Sequence, residues 1–590
     1  MNMTRTIRYY SLLAALLTLM VSCTALVKRE VTLLETTDIH GVIMPYDYIE
    51  KEDLNASLAS TFTYVRKIRE EKEAVVLLDD GDNLQGQPAV YYYNFVDTVS
   101  PHLLSEAMNF MSYDGVTVGN HDVETGHSVY DRLRKEYGFP MLAANAIDVT
   151  TGDPYFKPFH IINKNGIRIA VLGLVTPTIH NTLPHELFAG IEFRNMFETA
   201  AKWMPKIKNE KPDLIVGLFH TGWDDSDSEY SSSDSKHEEG AAAIAYNIPG
   251  FDIIFTGHDH RVANEKIVNS AGDTVLILNA GSRSMNIVRA DVTFQKDEMS
   301  GEYRKSLKGE VIKVSDYETD DEFMEKFADN HKAILAYVDE VIGNSSKTVT
   351  SRDSYFGSSG FVDIIHTLQL DITGADISFA APLSFDVKIS EGPVTVGDMF
   401  KLYRFENMLY TMTMTGTEVL KYLEYSYSLW YNTMNEPDRT LLKFRTDKTG
   451  KIVLNDGRAW LKNQAYNFDS AAGIDYTVDV SKPEGSRISI SGMSNGEKFN
   501  VDRKYRVAVN SYRGNGGGGH FYDGVGIGKT ELMSRVIKST DRDLRFYMID
   551  YIRQHKVIEP EPLNNWKVIP ENLTGKAIER DYKLLFGVNR

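Results

Sequence analysis

The chain has 590 residues, 42% of them hydrophobic, and carries a formal net charge of −18 at pH 7. This length is enough to bury more than one hydrophobic core, so more than one domain is expected. The negative charge excludes extended nucleic acid as a partner, because it repels polyanions at long range. A small anion can still bind, since nearby metals and arginines dominate the field within a Debye length of about 8 Å.

The N-terminus has the pattern of an export signal. Two arginines precede an apolar stretch from Ser11 to Val21, which is shorter than the ~20 residues of a membrane-spanning helix. Residues 1–22 are therefore predicted to be a signal peptide. The residues Met20 to Cys23 resemble a bacterial lipobox, which predicts a lipoprotein anchored at Cys23, periplasmic or in the outer membrane. Alternatively, the signal is cut elsewhere and Cys23 is an ordinary buried residue.

Cys23 is also the only cysteine in the chain. No disulfide can form within one mature chain, so stability outside the cytoplasm does not depend on cross-links.

Five polar clusters lie between Asp38 and His260, and each follows a short apolar run. Such runs, ending at Gly or Asp, are typical of buried strands, and sites in α/β folds collect on loops at strand carboxyl ends. The clusters are therefore predicted to meet along one edge of a sheet. In chain order they are Asp38-Ile39-His40, Gly81-Asp82, Gly119-Asn120-His121-Asp122, His220 and Gly257-His258-Asp259-His260.

The residue types in these clusters suit divalent metals, which bind Asp and His readily. One carboxylate can bridge two ions at ~3.5–4 Å, the spacing of two-metal hydrolases, and Asp82 is the natural bridge. Asn120 adds an oxygen ligand without charge, which leaves positive charge to receive an anionic phosphate. His121 is then free to donate a proton to a leaving oxygen, which suits a group that titrates near neutrality.

Each cluster alone has a simpler explanation. A lone Asp-x-His or Gly-Asn-His-Asp is more often a turn with a solvated histidine, because Gly, Asn and Asp suit turns. Five clusters in one chain order, each after an apolar run, favour the metal site instead.

The sequence pattern divides the chain into two bodies. Val275 to Leu278 reads as a closing strand of the first body. Thr319 to Glu322 is a capping box, and apolar residues then recur at helical spacing until Gly343. We predict a first domain over residues 24–316, one long linker helix over 317–343 and a second domain over 344–590. A core helix of either domain is the alternative, and alternating helix-like and strand-like segments make the second body α/β.

At this point a family resemblance can be stated. Thr37 to Gly41, Gly81 to Gly86 and Gly257 to His260 resemble the motifs of the calcineurin-like metallophosphoesterase domain of the secreted 5'-nucleotidase and 2',3'-cyclic-nucleotide 2'-phosphodiesterase/3'-nucleotidase family. The resemblance covers nearly the whole mature chain, to Trp566. It implies an α/β (α+β) fold, in which a four-layer metallophosphoesterase sandwich is joined by a long helix to a C-terminal 5'-nucleotidase-type α/β domain.

The resemblance also implies roles for single residues. His121 corresponds to the catalytic histidine, with Glu124 as its acidic partner and Asp122 as the less favoured alternative. The cofactors implied are two divalent metal ions, with Mn, Zn, Co and Mg as candidates because mixed nitrogen and oxygen sites accept several metals. One metal would be held by Asp38, His40, Asp82 and His260, and the other by Asp82, Asn120, His220 and His258.

The second body offers aromatic side chains that could hold a nucleotide base, and stacking on such rings contributes ~1–3 kcal/mol per base. In relatives one aromatic from each of two segments sandwiches the base, which indicates Tyr512 together with either Phe468 or Tyr466. Arg513, and Asn120 at the metals, are further predicted substrate contacts. An isolated aromatic is more often part of a core, so only the paired segments raise these residues above chance.

The branch of the family is predicted from positions at which this chain departs from the pattern of 5'-nucleotidases. Ser378 to Phe385 lacks the arginine typical of 5'-nucleotidases, whereas Leu402 to Asn407 and Asn564 to Trp566 resemble the 2',3'-cyclic-nucleotide branch. We therefore expect an enzyme that opens small cyclic nucleotides and then removes a phosphate. The alternatives are a 5'-nucleotidase or nucleotide-sugar hydrolase, and, from another class, an inactive nucleotide-binding lipoprotein. Loss of a ligand or of His121 would indicate the inactive protein, and none is lost.

Overall fold

The N-terminal half is built on two six-stranded sheets. A computed structural model describes residues 28–223, 240–296 and 303–590, so the predictions for residues 1–22 and Cys23 lie outside the described residues. In spatial order the first sheet contains Tyr303–Lys313, Asn286–Lys296, Lys28–Thr36, Val75–Asp79, Gly115–Thr117 and Met141–Leu142. The second contains Val262–Val268, Thr274–Ala280, Ile253–Thr256, Leu214–His220, Ile167–Val175 and Phe159–Lys164.

The central strands of each sheet run parallel to one another. Antiparallel strands pair at the flanks. In a parallel set all carboxyl ends reach the same edge of the sheet, and the loops that follow them collect there. Each of the five polar clusters begins at, or just after, the end of such a strand.

The two sheets pack face to face over an apolar core, and helices cover their outer faces. Alternate residues such as Leu33 and Leu78 of the first sheet and Leu218 and Phe255 of the second are fully buried between them. The helices of the first outer face are Leu58–Glu71, Leu103–Phe110 and His127–Glu136, and those of the second are Met196–Asn209 and Ala241–Asn247. The predicted four-layer sandwich is confirmed.

The segment between the two halves differs from the single helix expected over residues 317–343. It forms two helices, Asp321–Lys326 and Ala328–Val338, followed by the strand Val341–Ser345. The backbone leaves the helical region at Phe327 (φ −102°, ψ 14°). Phe323 and Phe327 are both fully buried in the core of the N-terminal domain, with ring centroids 4.7 Å apart. Packing of both rings against one core thus accompanies the break.

The C-terminal half is an α/β domain around a five-stranded sheet. Its strands, in spatial order, are Ser470–Ala472, Ile377–Ala380, Lys504–Asn510, Leu409–Thr415 and Val536–Ser539. Two three-stranded sheets flank it: Gly392–Thr395, Val341–Ser345 and Val557–Ile558, and Ile488–Met493, Ile474–Asp479 and Trp566–Ile569. Its larger helices are Gly360–Thr373, Val396–Leu402, Gly416–Trp430, Leu544–His555 and Glu571–Phe586.

The two halves meet through a mixed apolar and polar interface. Tyr91 of the N-terminal half is 2% exposed and packs in one apolar cluster with Phe400 of the C-terminal half. Its hydroxyl donates to Asp543 at 3.0 Å, and the guanidinium of Arg545 lies 4.9 Å from its ring centroid. Among the described residues, none of the helices combines the length and apolarity needed to cross a membrane.

Candidate dimetal site

Asp38 and His40, which follow a strand of the first sheet, converge with His260, which follows a strand of the second. His40 Nε2 lies 3.0 Å from His260 Nε2, and the two atoms lie 3.8 and 3.2 Å from Asp38 Oδ1. Asp38 is fully buried, whereas the side chain of His260 is 46% exposed. These three side chains form one candidate metal group.

A second group forms beside the first from Asp82, His220 and His258. His220 Nε2 lies 3.1 Å from Asp82 Oδ2 and 3.2 Å from Asn120 Oδ1, so the amide oxygen joins this group as predicted. The other carboxylate oxygen of Asp82 accepts the backbone N–H of His121 at 2.8 Å. All seven side chains expected to hold metals therefore meet, but they follow strands of both sheets and not of one sheet as the sequence predicted.

The backbone at these residues is strained. Five of the seven have positive φ angles: 49° at Asp38, 50° at His40, 58° at Asp82, 69° at His258 and 58° at His260. Such angles are uncommon in residues other than glycine and cluster at functional sites, where the surrounding structure enforces them. The strain indicates that the fold positions these side chains at some cost in stability.

Glycine at position 119 allows the loops to approach this closely. A Cβ atom on Gly119 would lie 2.1 Å from Asp82 Oδ1 and 2.4 Å from Asp82 N, which no side chain can satisfy. The glycine before Asn120 therefore has a steric reason.

Hydrogen bonds from Nδ1 to backbone carbonyl groups orient two of the histidine rings. His40 Nδ1 donates to the carbonyl oxygen of Gln85 at 3.0 Å, and His220 Nδ1 donates to that of Asp80 at 2.5 Å. Donation from Nδ1 fixes the tautomer whose Nε2 lone pair faces inward, the usual arrangement of metal-binding histidines. Inward lone pairs, a buried carboxylate on each side and an amide oxygen fit two divalent cations.

His121 lies beside the second group, but its Nδ1 atom faces Glu124. Nδ1 lies 2.6 Å from Glu124 Oε2, and Glu124 is therefore placed as the predicted acidic partner. Burial lowers the pKa of His121, but the carboxylates of Asp82 and Glu124 raise it more, to about 10. Cations bound next to Asp82 would offset part of its charge and bring that pKa down.

Asp122, the less favoured alternative, has a different role. Its carboxylate accepts the backbone N–H groups of Asp82, Asn83, Leu84 and Gly119 at 2.9 to 3.1 Å. It therefore organises the loops of the site and does not contact His121 through its side chain.

Comparison with known proteins agrees with this geometry. Residues 31–262 match the family model of calcineurin-like phosphoesterases, and residues 341–524 match that of the 5'-nucleotidase C-terminal domain. The chain therefore carries a calcineurin-like phosphoesterase domain followed by a 5'-nucleotidase C-terminal domain. It is accordingly a metal-dependent phosphoric ester hydrolase, and the predicted family is confirmed.

Individual relatives are distant but cover most of the chain. A 2',3'-cyclic-nucleotide 2'-phosphodiesterase/3'-nucleotidase of Yersinia enterocolitica is 25% identical over 95% of this chain and 91% of its own length. The trifunctional nucleotide phosphoesterase protein YfkN of Bacillus subtilis is 26% identical over 93% of this chain, which spans 39% of its length. A 5'-nucleotidase precursor from Thermus thermophilus shares the fold, with a TM-score of 0.60 and 22% identity over 92% of this chain and all of its own.

A cavity of about 270 Å³ joins the phosphoesterase domain to the C-terminal domain. Asn120, His121 and His258 line it on one side, and Tyr466 and Tyr512 line it on the other. Two predicted aromatic residues therefore face the metal ligands across one space.

Phe405 also lines this cavity, with its ring centroid 5.9 Å from that of Tyr466, and was not among the residues predicted to contact the substrate. Its segment, Leu402 to Asn407, was used only to predict the branch. The sequence signal that could have identified Phe405 is an aromatic residue between two charged residues, Arg404 and Glu406, shortly after a helix ends.

The prediction that offered Phe468 as a base-stacking residue needs correction. Phe468 is fully buried and stacks on Trp430 with centroids 5.0 Å apart. It belongs to the core of the C-terminal domain, so Tyr466 is the aromatic that its segment presents to the cavity.

Arg513 is likewise corrected from a substrate contact to a positioning residue. It is 1% exposed, and its Nε and Nη2 atoms bind both carboxylate oxygens of Asp469 at 3.0 Å. Nη2 also donates to the carbonyl of Tyr466, and Nη1 to that of Gly517. Arg513 thereby ties together the two loops that carry Tyr466 and Tyr512.

Proposed function

We propose that this hydrolase is a 2',3'-cyclic-nucleotide 2'-phosphodiesterase and 3'-nucleotidase. The observation that supports it best is the shared cavity, which places three aromatic rings from one domain opposite the metal ligands and His121 of the other. A nucleotide has the matching chemistry, with a flat base at one end and a phosphate at the other. Aromatic rings bind bases by stacking with little dependence on base identity.

The roles of the side chains follow from their positions. Two divalent cations, when bound, supply a Lewis acid and an activated water for attack on phosphorus. Asn120 lies next to the phosphate position and contributes a neutral oxygen ligand. His121, held by Glu124, has its Nε2 atom left to donate a proton to the leaving ribose oxygen. Tyr466, Tyr512 and Phe405 orient the base, which places the phosphate.

A substrate panel tests this assignment. The purified protein is assayed with Mn, Zn, Co or Mg on 2',3'-cyclic AMP, 3'-AMP, 5'-AMP, a nucleotide sugar and an aryl phosphate. We expect the cyclic nucleotide and 3'-AMP to have the highest kcat/KM. Higher kcat/KM for 5'-AMP would contradict the proposal and favour the second candidate.

That second candidate is a 5'-nucleotidase, supported by the match of residues 341–524 to the 5'-nucleotidase C-terminal domain. It uses the same metal ligands and differs in which phosphate the C-terminal domain presents to them. The absence of an arginine from Ser378 to Phe385 disfavours it.

We further propose that the protein acts outside the cytoplasm as a lipoprotein anchored at Cys23. The support is the sequence of residues 1–23 alone. Radiolabelled palmitate should be incorporated by the wild type and not by Cys23→Ser. Equal labelling of both would contradict lipidation at this residue.

A further inference from the structure

A second cavity adjoins the first on the C-terminal domain, with a volume of about 670 Å³, within the range of small-molecule sites. Ala465 lines it, whereas the next residue, Tyr466, lines the cavity at the metals. On another wall Phe385 lines the second cavity, and Leu383, two residues earlier, lines the first. Consecutive Cα atoms are ~3.8 Å apart, so the two cavities are separated by the thickness of these segments.

The second cavity presents an aromatic face together with guanidinium groups. Trp460 is 49% exposed, and the guanidinium carbon of Arg445 lies 5.5 Å from its ring centroid. Arg458 also lines the cavity, with Nη1 3.9 Å from Asp386, a carboxylate that Arg352 binds more closely at 2.5 Å. An exposed indole face favours stacking with another flat ring, and guanidinium groups favour phosphate.

These groups are held by regular backbone structure. Arg445 N donates to the carbonyl of Trp460 at 2.8 Å, and the carbonyl of Arg445 accepts from Val453 N at 2.9 Å. A hairpin carries Arg458, and its turn has positive φ angles at Asp456 (48°) and Gly457 (79°), as tight two-residue hairpin turns require. A site fixed in this way loses little conformational entropy when a ligand binds.

The local charge also differs from that of the whole molecule. Arg445 and Arg458 line this cavity with one carboxylate, that of Asp456, and the nearby carboxylate of Asp386 is also paired with Arg352, whereas the chain as a whole has a net charge of −18. Charges within a Debye length, ~8 Å, dominate the field that a bound ligand experiences. An anion is therefore favoured here despite the acidic surface.

We propose that this cavity is a subsite for a second nucleotide, joined to the one whose phosphate meets the metal ligands. Trp460 stacks on the second base, and Arg445 and Arg458 contact the phosphodiester that links the two units. The reaction remains the same hydrolysis of the terminal phosphate ester. The inference rests on the proposed function, because it extends that substrate from a mononucleotide to a short oligonucleotide with a terminal 2',3'-cyclic phosphate.

The test compares adenosine 2',3'-cyclic phosphate with a diadenosine dinucleotide that ends in a 2',3'-cyclic phosphate. For Trp460→Ala we expect kcat/KM on the dinucleotide to fall about 10-fold, since stacking on one base is lost, and that on the mononucleotide to stay within about twofold. Trp460→Phe should retain most of the wild-type kcat/KM on the dinucleotide. Phe546→Ala is the matched control. Phe546 is 43% exposed, close to the 49% of Trp460, and also has an arginine over its ring, but it lies outside both cavities.

A second measurement distinguishes failure of the subsite from failure of the proposed function. The dinucleoside monophosphate ApA should quench tryptophan fluorescence of the wild type, and Trp460→Phe should abolish that quenching. A dinucleoside pyrophosphate, linked through its 5' positions, serves as a parallel ligand and shows which linkage the subsite accepts. If neither cyclic substrate is turned over but ApA still quenches, the proposed function fails and the subsite stands. Any of three results would overturn the subsite. In Trp460→Ala these are an unchanged kcat/KM on the dinucleotide or an equal loss on both substrates. In Trp460→Phe it is quenching by ApA that persists.

Discussion

Asp82 contacts both halves of the metal site through different atoms. Its Oδ2 lies 3.1 Å from His220, its Oδ1 accepts the N–H of His121, and its backbone carbonyl accepts the N–H of His40 at 3.1 Å. Asp82 therefore connects three loops of the site.

We therefore expect Asp82→Asn to lose both metals or nearly all activity, because the carboxylate that would be shared by two cations becomes a neutral amide. Metal content by mass spectrometry and turnover together measure this. Asp259→Asn is the matched control, since Asp259 follows His258 but its carboxylate accepts from Asn279. Two metals at full occupancy and near-native turnover in Asp82→Asn would remove Asp82 from its bridging role.

His121→Ala should keep its metals and lower kcat by about 10²–10⁴-fold, the usual contribution of a positioned general acid. His127→Ala is a close control, because His127 has the same 32% side-chain exposure and an acidic neighbour, Asp131, at 3.1 Å. Glu124→Gln should have a smaller effect and shift the pH profile of kcat. Unchanged turnover of His121→Ala on a substrate with a poor leaving group would show a purely structural role.

The metal ligands could be predicted from sequence because each follows a strand end and has a residue type suited to metal binding. Phe468 and Arg513 could not be separated from true cavity residues in that way. Phe468 lies two residues from Tyr466, and only tertiary packing decides which ring turns to Trp430. Arg513 follows Tyr512 directly, and its burial depends on Asp469, 44 residues away.

At the scale of elements, the helix Gly360–Thr373 is fastened to two strands by one buried histidine. His366 Nδ1 lies 2.9 Å from Ser378 Oγ in one strand, and Nε2 lies 3.1 Å from Ser470 Oγ in another. Burial lowers the pKa of His366 to about 3. The neutral imidazole is therefore the form that the fold stabilises.

This predicts a pH dependence of stability. An unfolded histidine titrates near 6.5, so between about pH 6.5 and pH 3 the unfolded chain binds a proton at this residue that the folded chain does not. The contribution of His366 to the free energy of unfolding should therefore be constant above pH 6.5 and fall below it, by up to about 1.4 kcal/mol per pH unit.

Urea unfolding of the wild type and His366→Gln between pH 7.5 and 5 measures the slope. Glutamine can still bind both serines, and its profile should be less steep. His555→Gln, at an exposed histidine stacked on Tyr551, is the control for replacing a histidine at the surface. Equal slopes for wild type and His366→Gln would contradict the prediction.

Element types were more predictable than element boundaries. The start of the helix was predicted to within one residue, since the capping-box pattern puts the N-cap at Thr319 whereas Asp320 accepts the N–H of Phe323, but helical spacing alone continued past Phe327. Periodicity describes which face of a helix is apolar and carries no information about a break. Two phenylalanines that pack on the same core become visible only in the folded domain.

At the scale of the whole molecule, the two domains are coupled by polar contacts next to the site. Asn515 Nδ2 donates to the carbonyl of Thr182 at 2.8 Å, and both Thr182 and Tyr512 line the cavity at the metals. Gly517 allows this arrangement, because a Cβ there would lie 2.5 Å from the ring of Tyr512. The loop that carries Tyr512, the proposed base-stacking residue, is thus also the loop that contacts the N-terminal domain.

This coupling leads to the last prediction, on Tyr512→Ala. If the metals act on phosphate and the C-terminal domain recognises the base, KM for nucleotides should rise about 10-fold or more, since base stacking is lost, while kinetics on an aryl phosphate stay near wild type. Metal content should be unchanged, because Tyr512 lies outside both metal groups. Tyr551→Ala is the control, an aromatic of the same domain away from the cavity. An equal loss of activity on nucleotide and aryl phosphate would mean that Tyr512 supports the metal site through the interdomain contact. A KM that is unchanged for both substrates would show that recognition of the base depends on Tyr466 and Phe405 instead.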